Sequence, residues 1–145
     1  MQVDGFSVLL VDDETEFLDT LVKRLRKRNL QVRGAGSGEE ALKCLDAEPI
    51  DVVVLDVKMP GMDGIDTLRE IKNRHPLVEV IMLTGHASME VAIQGMELGA
   101  FDYLMKPMNI DELLYKLQDA HKKKSLQRQK IKKMKEVVGI ENVEG

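Results

Sequence analysis

Cysteine occurs once in this sequence, at Cys44, so no internal disulfide can staple the fold. Cys44 falls in a helical pattern and is expected to pack as a small apolar residue rather than to react. Apolar runs are no longer than a strand, far short of the roughly 20 residues that a membrane-spanning helix needs. Met1-Gln2-Val3-Asp4 offers neither the basic start nor the apolar stretch of a secretion signal, and a cytoplasmic location is expected. No glycine-rich loop follows the first apolar run, which argues against a nucleotide- or flavin-binding module. The basic residues near the C-terminus have no aromatics among them, so a nucleic-acid contact is not expected from this chain alone.

What is present is an ordinary globular composition. Hydrophobic residues make up 43% and charged residues 32% of 145 positions, enough for one domain with a real core. The net charge of −4 conceals an asymmetry. Through Tyr115 there are 12 basic and 21 acidic residues, whereas residues 116–135 carry 9 basic residues against Asp119 alone. An acidic body thus carries a basic tail, and a division into a body at 1–122 and a helical extension or linker at 123–145 is expected. Leu117, Ala120, Ile131, Met134 and Val138 fit a seven-residue repeat, but Lys124 and Gln127 interrupt its seam. A solvated helical extension is therefore favoured over a coiled coil.

The pattern centres on Val52-Val53-Val54-Leu55, four apolar residues without alternation, as in a strand buried on both faces. Asp56 ends this run, and Pro60-Gly61 marks the loop that follows. Before it, residues 7–11 read as a strand ending at Asp12-Asp13. Phe17, Leu18, Leu21, Val22 and Leu25 recur at helical spacing, with Asn29 as a helix end and a short strand at 30–33. Ser37 and Glu40 have capping-box spacing for a second helix, which Pro49 stops. After Asp56, Asp63 is a cap for a helix that His75-Pro76 ends. A strand is expected at 78–83, and a helix at 88–98 despite the cost of Gly95, about 1 kcal/mol. A strand at 102–105 and a helix from Asn109 complete five strand-then-helix units. This alternation implies an α/β fold, a doubly wound parallel sheet with helices on both faces.

Parallel strands share one rim at their carboxyl ends, and that rim collects Asp12, Asp13, Asp56, Thr84 and Lys106. Taken singly, each could be a turn former or cap; Asp13 and Glu14 could cap the first helix, and Thr84 could bond its own backbone. Together they form a site. At an effective dielectric near 20, two carboxylates about 4 Å apart repel by about 4 kcal/mol, so the cluster calls for cations or a retained proton. Lys106 supplies one positive charge, and Mg²⁺ suits the rest because it prefers oxygen ligands. A carboxylate beside such cations can attack a phosphoryl group.

Val11-Asp12-Asp13-Glu14, the run from Val52 through Asp56 to Gly64, Leu83-Thr84-Gly85, and Tyr103-Leu104-Met105-Lys106-Pro107 resemble the receiver domain of two-component response regulators, over residues 7–122. The resemblance implies a flavodoxin-like sheet of order 2-1-3-4-5 with five helices. It also implies that Asp56 accepts a phosphoryl group from a sensor histidine kinase or a small acyl phosphate. Asp13, Asp56 and the backbone carbonyl of Lys58 would hold Mg²⁺, with Asp12 acting through water. Lys106 would pair with the phosphoryl oxygens, Thr84 would donate to them, and Tyr103 would change rotamer with the state of Asp56. A cis Lys106–Pro107 bond follows from the same resemblance. Lys58 and His86 occupy the two positions that tune phosphoryl lifetime in the family. Expected partners are the kinase, an effector domain or downstream protein, and a second copy through the face of the fourth helix, fifth strand and fifth helix. Leu83-Thr84-Gly85-His86 and residues 98–103 are similar to receivers of enhancer-binding transcription activators.

The chain is thus expected to be a signalling switch, with no enzymatic activity beyond its own phosphorylation and dephosphorylation. The alternative is a Mg²⁺-dependent phosphohydrolase with an aspartyl-phosphate intermediate. That chemistry usually wants a second acid two residues after the nucleophile, where this chain has Lys58. No helix-turn-helix or ATPase pattern follows, so either a single-domain regulator or a piece of a longer one is expected. Seven of nine methionines fall between residues 59 and 108, and core filling explains them better than a mobile partner surface.

Overall fold

A computed structural model describes residues 5–58, 63–85 and 88–139. The elements alternate along the chain: β1 (Ser7–Val11), α1 (Thr15–Arg26), β2 (Gln31–Ala35), α2 (Gly38–Ala47), β3 (Val52–Asp56), α3 (Gly64–Arg74), β4 (Glu79–Thr84), α4 (Met89–Glu97), β5 (Asp102–Met105) and α5 (Ile110–Val137). The strands form one sheet in the order β2-β1-β3-β4-β5, and every pair is parallel. The order places β3 at the centre, as its uninterrupted apolar run demands.

Side chains alternate between the two faces of each strand. Val8, Leu10, Val52, Val54, Ile81 and Leu83 pack with α1 and α5. Leu9, Val11, Val53, Leu55, Val80 and Met82 pack with α2, α3 and α4. β3 and β4 are buried at every position, whereas edge strand β2 exposes Gln31 and Arg33 and buries Val32 and Ala35. No helix among the described residues is long and apolar enough to cross a membrane.

The helix ends follow their local chemistry. The Ser37 hydroxyl accepts from Glu40 N at 3.2 Å, and the Glu40 carboxylate accepts from Gly36 N at 3.0 Å. Asp63 accepts from Asp66 N at 2.9 Å, and Asn109 accepts from both Asp111 N and Glu112 N. Asn29 turns the chain after α1 at φ 67°. The Lys106–Pro107 bond is cis.

Two strand boundaries shift, and one glycine finds its reason. β2 runs to Ala35 rather than ending at 33, because its ladder with β1 continues through Leu10↔Gly34 and Val11↔Ala35; pairing overrides the weak strand preference of Gly34. β4 starts at Glu79 and includes Thr84, which pairs with Met105. Gly95 lies inside α4 for a packing reason: a Cβ there would overlap the Met82 sulfur, with Met82 Cε at 2.8 Å and Leu68 Cδ2 at 3.4 Å. The cost in helix propensity is the condition for α4 to lie close on β4.

The tail continues α5 as a largely exposed helix, with one buried charge. α5 is continuous to Val137, and Lys124 within it is buried, with its ammonium 2.8 Å from Asp51.

Gly64 lies directly against Val57, the residue after β3. A Cβ on it would overlap the Cα of Val57 and stand 2.8 Å from its carbonyl carbon and oxygen, all backbone atoms. Gly64→Ala is therefore expected to lower the unfolding free energy by about 1–3 kcal/mol, as overpacking against rigid neighbours does. Urea unfolding measures this, and a loss below about 0.5 kcal/mol would show that the backbone gives way.

Candidate functional site

β1 and β3 run side by side with Val11 opposite Leu55, so Asp12 and Asp56 emerge beside each other. Asp12 is 2% exposed and has both carboxylate oxygens engaged. One accepts from Glu14 N at 2.9 Å, and the other from the Lys106 ammonium at 3.0 Å. Asp13 is exposed. One oxygen each from Asp12, Asp13 and Asp56 lies within 4.8 Å of the others, close enough for one metal ion to touch all three.

Asp56 is 6% exposed. Its Oδ1 accepts from Lys58 N at 3.2 Å, and its Oδ2 lies 3.9 Å from Lys106 Nζ. Burial pushes this carboxyl up from the ordinary 3.8 to about 6. The Lys58 amide and the Lys106 ammonium oppose the rise, while the Asp12 and Asp13 charges add to it. Lys106 itself is pulled down by burial, but the hydrogen bond to Asp12 and the charges of Asp56, Asp12 and Glu14 prevail and raise it above the ordinary lysine value.

Lys106 reaches this position from the end of β5, with its amide bonded to Thr84 O at 2.8 Å. Two of its contacts were not singled out from sequence. Glu14 Oε1 lies 3.5 Å from its ammonium, and the Phe17 ring lies beneath it at 4.6 Å. Glu14 occupies the N-cap position of α1, but its side chain makes no cap bond there. Phe17 belonged to the apolar stripe of α1; its place one turn after the acidic pair was the available signal.

The remaining candidates are placed as follows. Thr84 is buried, and its hydroxyl donates to Gly85 O at 3.1 Å, so it is bonded to its own chain. Tyr103 stands on β5 with 37% of its surface exposed. The Lys58 side chain is exposed. His86 lies outside the described residues, as do Met59 and Met62. Of the other methionines, Met82 is fully buried and Met108 packs against the core, whereas Met96 is 39% exposed.

Chemically, the rim offers a carboxylate with a raised pKa, an all-oxygen donor set and one ammonium. Such a set could hold a hard divalent cation. It also suits an attack by Asp56 on an electrophile whose charge the cations offset.

A family model described as the response regulator receiver domain matches residues 8–118. Among curated proteins, the DNA-binding transcriptional regulator NtrC of Klebsiella pneumoniae is 41% identical over 103 residues, covering 71% of this chain and 22% of that protein. A putative response regulator, NtrX-like, from Rickettsia bellii is 36% identical over 126 residues, covering 86% of this chain and 26% of that protein. The chain spans about a quarter of the length of these relatives. Among solved structures, a response regulator receiver domain protein from Clostridium thermocellum superposes with a TM-score of 0.80 at 37% identity. That match covers 86% of this chain and 99% of the other.

The raised carboxyl of Asp56 has a consequence for stability. Between pH 3.8 and about 6 the folded chain holds this proton more firmly than the unfolded chain. Stability contributed by the protonated form is therefore lost as pH rises through about 6. In metal-free buffer, Asp56→Asn is expected to be more stable than the parent at about pH 8, and its advantage is expected to shrink toward zero at about pH 4. Urea midpoints at the two pH values test this. An equal difference at both would show that ionisation of Asp56 is not the cause.

Proposed function

We propose a phosphorylation-activated switch for this chain, which belongs to the response regulator receiver domain family, with Asp56 as the residue that takes the phosphoryl group. The carrying observation is the position of Asp56. It ends a strand buried on both faces, and its carboxylate is gathered with Asp12 and Asp13 and lies 3.9 Å from one ammonium.

An Asp56 oxygen attacks phosphorus as the P–N bond of a kinase phosphohistidine, or the P–O bond of a small acyl phosphate, breaks. The departing imidazole or carboxylate keeps the electron pair. A carboxyl with a pKa of about 6 is mostly ionised near neutral pH, as a nucleophile must be. Asp12, Asp13 and Asp56, with the Lys58 carbonyl, are the groups to hold Mg²⁺, which when bound offsets charge on the transferring oxygens. Lys106 pairs with the same oxygens from the β5 side. Lys58 and His86, two positions in sequence after Asp56 and Thr84, are the residues that would tune the lifetime of the product. A phosphohydrolase gains no support, because the position two after Asp56 holds an exposed lysine and not an acid.

Modification turns one carboxylate into a group of about −2 charge with new acceptor oxygens. The donors to meet them are the Lys106 ammonium, 3.9 Å from Asp56, and the Thr84 hydroxyl, which is now spent on Gly85 O. Hydrogen bonds to charged groups contribute about 1.5–3 kcal/mol each, so two give about 3–6 kcal/mol. Moving a population from 1:99 to 99:1 takes about 5.5 kcal/mol. Thr84 drawn toward Asp56 vacates space for the half-exposed Tyr103 ring. Ile93 and Met96 on α4 and Tyr115 on α5 are exposed as well, at 56%, 39% and 60%. This apolar face is the surface offered to a second copy, an effector domain or a downstream protein. A sensor histidine kinase as donor places the chain in the cytoplasm.

Incubation with an acyl phosphate and Mg²⁺ should add one phosphoryl group, mapped by mass spectrometry to Asp56 and absent in Asp56→Asn. Label on another residue would overturn the assignment, and sustained turnover would restore the hydrolase. Thr84→Ala should still accept the phosphoryl group but lose most of the amide shifts that beryllofluoride causes across residues 88–103. Parent-like shifts in that variant would break the proposed coupling.

A further inference from the structure

The amino ends of the strands form a second charged rim, on the edge of the sheet opposite Asp56. Asp51, just before β3, joins three elements there. Its Oδ2 accepts from Ser7 N at 2.9 Å, its Oδ1 accepts from Lys124 Nζ at 2.8 Å, and its carbonyl accepts from Glu79 N at 3.4 Å. Glu79, the first residue of β4, is 2% exposed. One of its oxygens lies 3.2 Å from Lys123 Nζ. The other has no hydrogen-bond partner and lies 3.7 Å from Lys72 Nζ.

The position of Lys124 on α5 makes this more than a surface ion pair. Leu113, Leu117 and Ala120 form the buried stripe of the helix, and Lys124 is its next member. A lysine with 6% exposure in that stripe is tolerable only with a matched carboxylate. Around it, His121 stacks on Phe6 at 4.2 Å, and Lys123 lies 5.7 Å over the Phe101 ring. Beyond Lys124 the helix leaves the body: Leu126, Met134 and Val137 are 49%, 67% and 85% exposed. The two adjacent lysines are thus the last firm contacts before some 13 helical residues, an arm of about 20 Å at 1.5 Å per residue.

We propose that the amino rim of the sheet is an intramolecular docking site for the basic helix, in which Asp51 takes Lys124 and Glu79 takes Lys123, holding residues 125–137 as an arm of fixed direction. The partner it fits is a helix presenting two consecutive lysines at the end of an apolar stripe. The proposal does not rest on the function proposed above.

Amide hydrogen exchange on the full chain tests the docking. Asp51→Asn keeps an oxygen for Ser7 N–H and removes the charge that holds Lys124; Lys124→Ala removes the other partner. Each is expected to speed exchange at residues 118–128 by about tenfold or more, with the amides of β1, β3 and β4 unchanged. Lys133→Ala, the same loss of charge farther along the helix, should exchange as the parent does. If Lys124→Ala does not fold, Lys124→Met keeps the buried stem, and the same local acceleration is expected. Unchanged exchange in Asp51→Asn, or equal acceleration throughout the strands, would overturn the proposal.

Discussion

Burial of β3 on both faces is the constraint on which the rest depends. Val52, Val53, Val54 and Leu55 are each at most 1% exposed, with alternate side chains in two separate cores. The strand is also hydrogen-bonded between β1 and β4. It cannot slide or twist without opening both cores, so the carboxylate at its end is held where water and dielectric are least helpful. The raised pKa of Asp56 is the measure of that confinement. A nucleophile on a rigid strand, next to partners carried by neighbouring strands, needs little rearrangement to react.

The two rims of the sheet resolve the same problem in opposite ways. At the carboxyl rim Lys106 serves Asp12, Glu14 and Asp56 at once, and Asp13 stands close by. Negative charge is in surplus there, which leaves room for a bound cation and a transferred group. At the amino rim Lys72, Lys123 and Lys124 face Glu79 and Asp51. Charge there is met within the chain, and the result is a joint rather than a reactive site. β3 lies between the two, preceded by Asp51 and ended by Asp56.

Much of the functional rim was legible because parallel topology converts sequence position into spatial position. Four of the five strand runs ended at Asp12, Asp56, Thr84 or just before Lys106, and a parallel sheet brings such ends together. What side chains do after leaving the backbone was not legible in the same way. Thr84 could be placed at the rim, but not the choice of Gly85 O as its partner. Lys106 could be paired with acids, but not laid over Phe17, since that contact joins α1 to the end of β5. Lys124 looked like a flaw in an apolar seam because Asp51, its partner, lies 73 residues earlier.

By itself, then, the sequence determined the alternation of strands and helices, the central position of β3 and the membership of the acidic rim. These follow from local periodicity, capping chemistry and the requirement that apolar runs be buried. Tertiary structure alone decided which oxygen meets which ammonium, that Gly64 lies against the Val57 backbone and Gly95 against the Met82 thioether, and where α5 parts from the body. Those outcomes depend on distances between residues far apart in the chain, and only the packed sheet sets such distances.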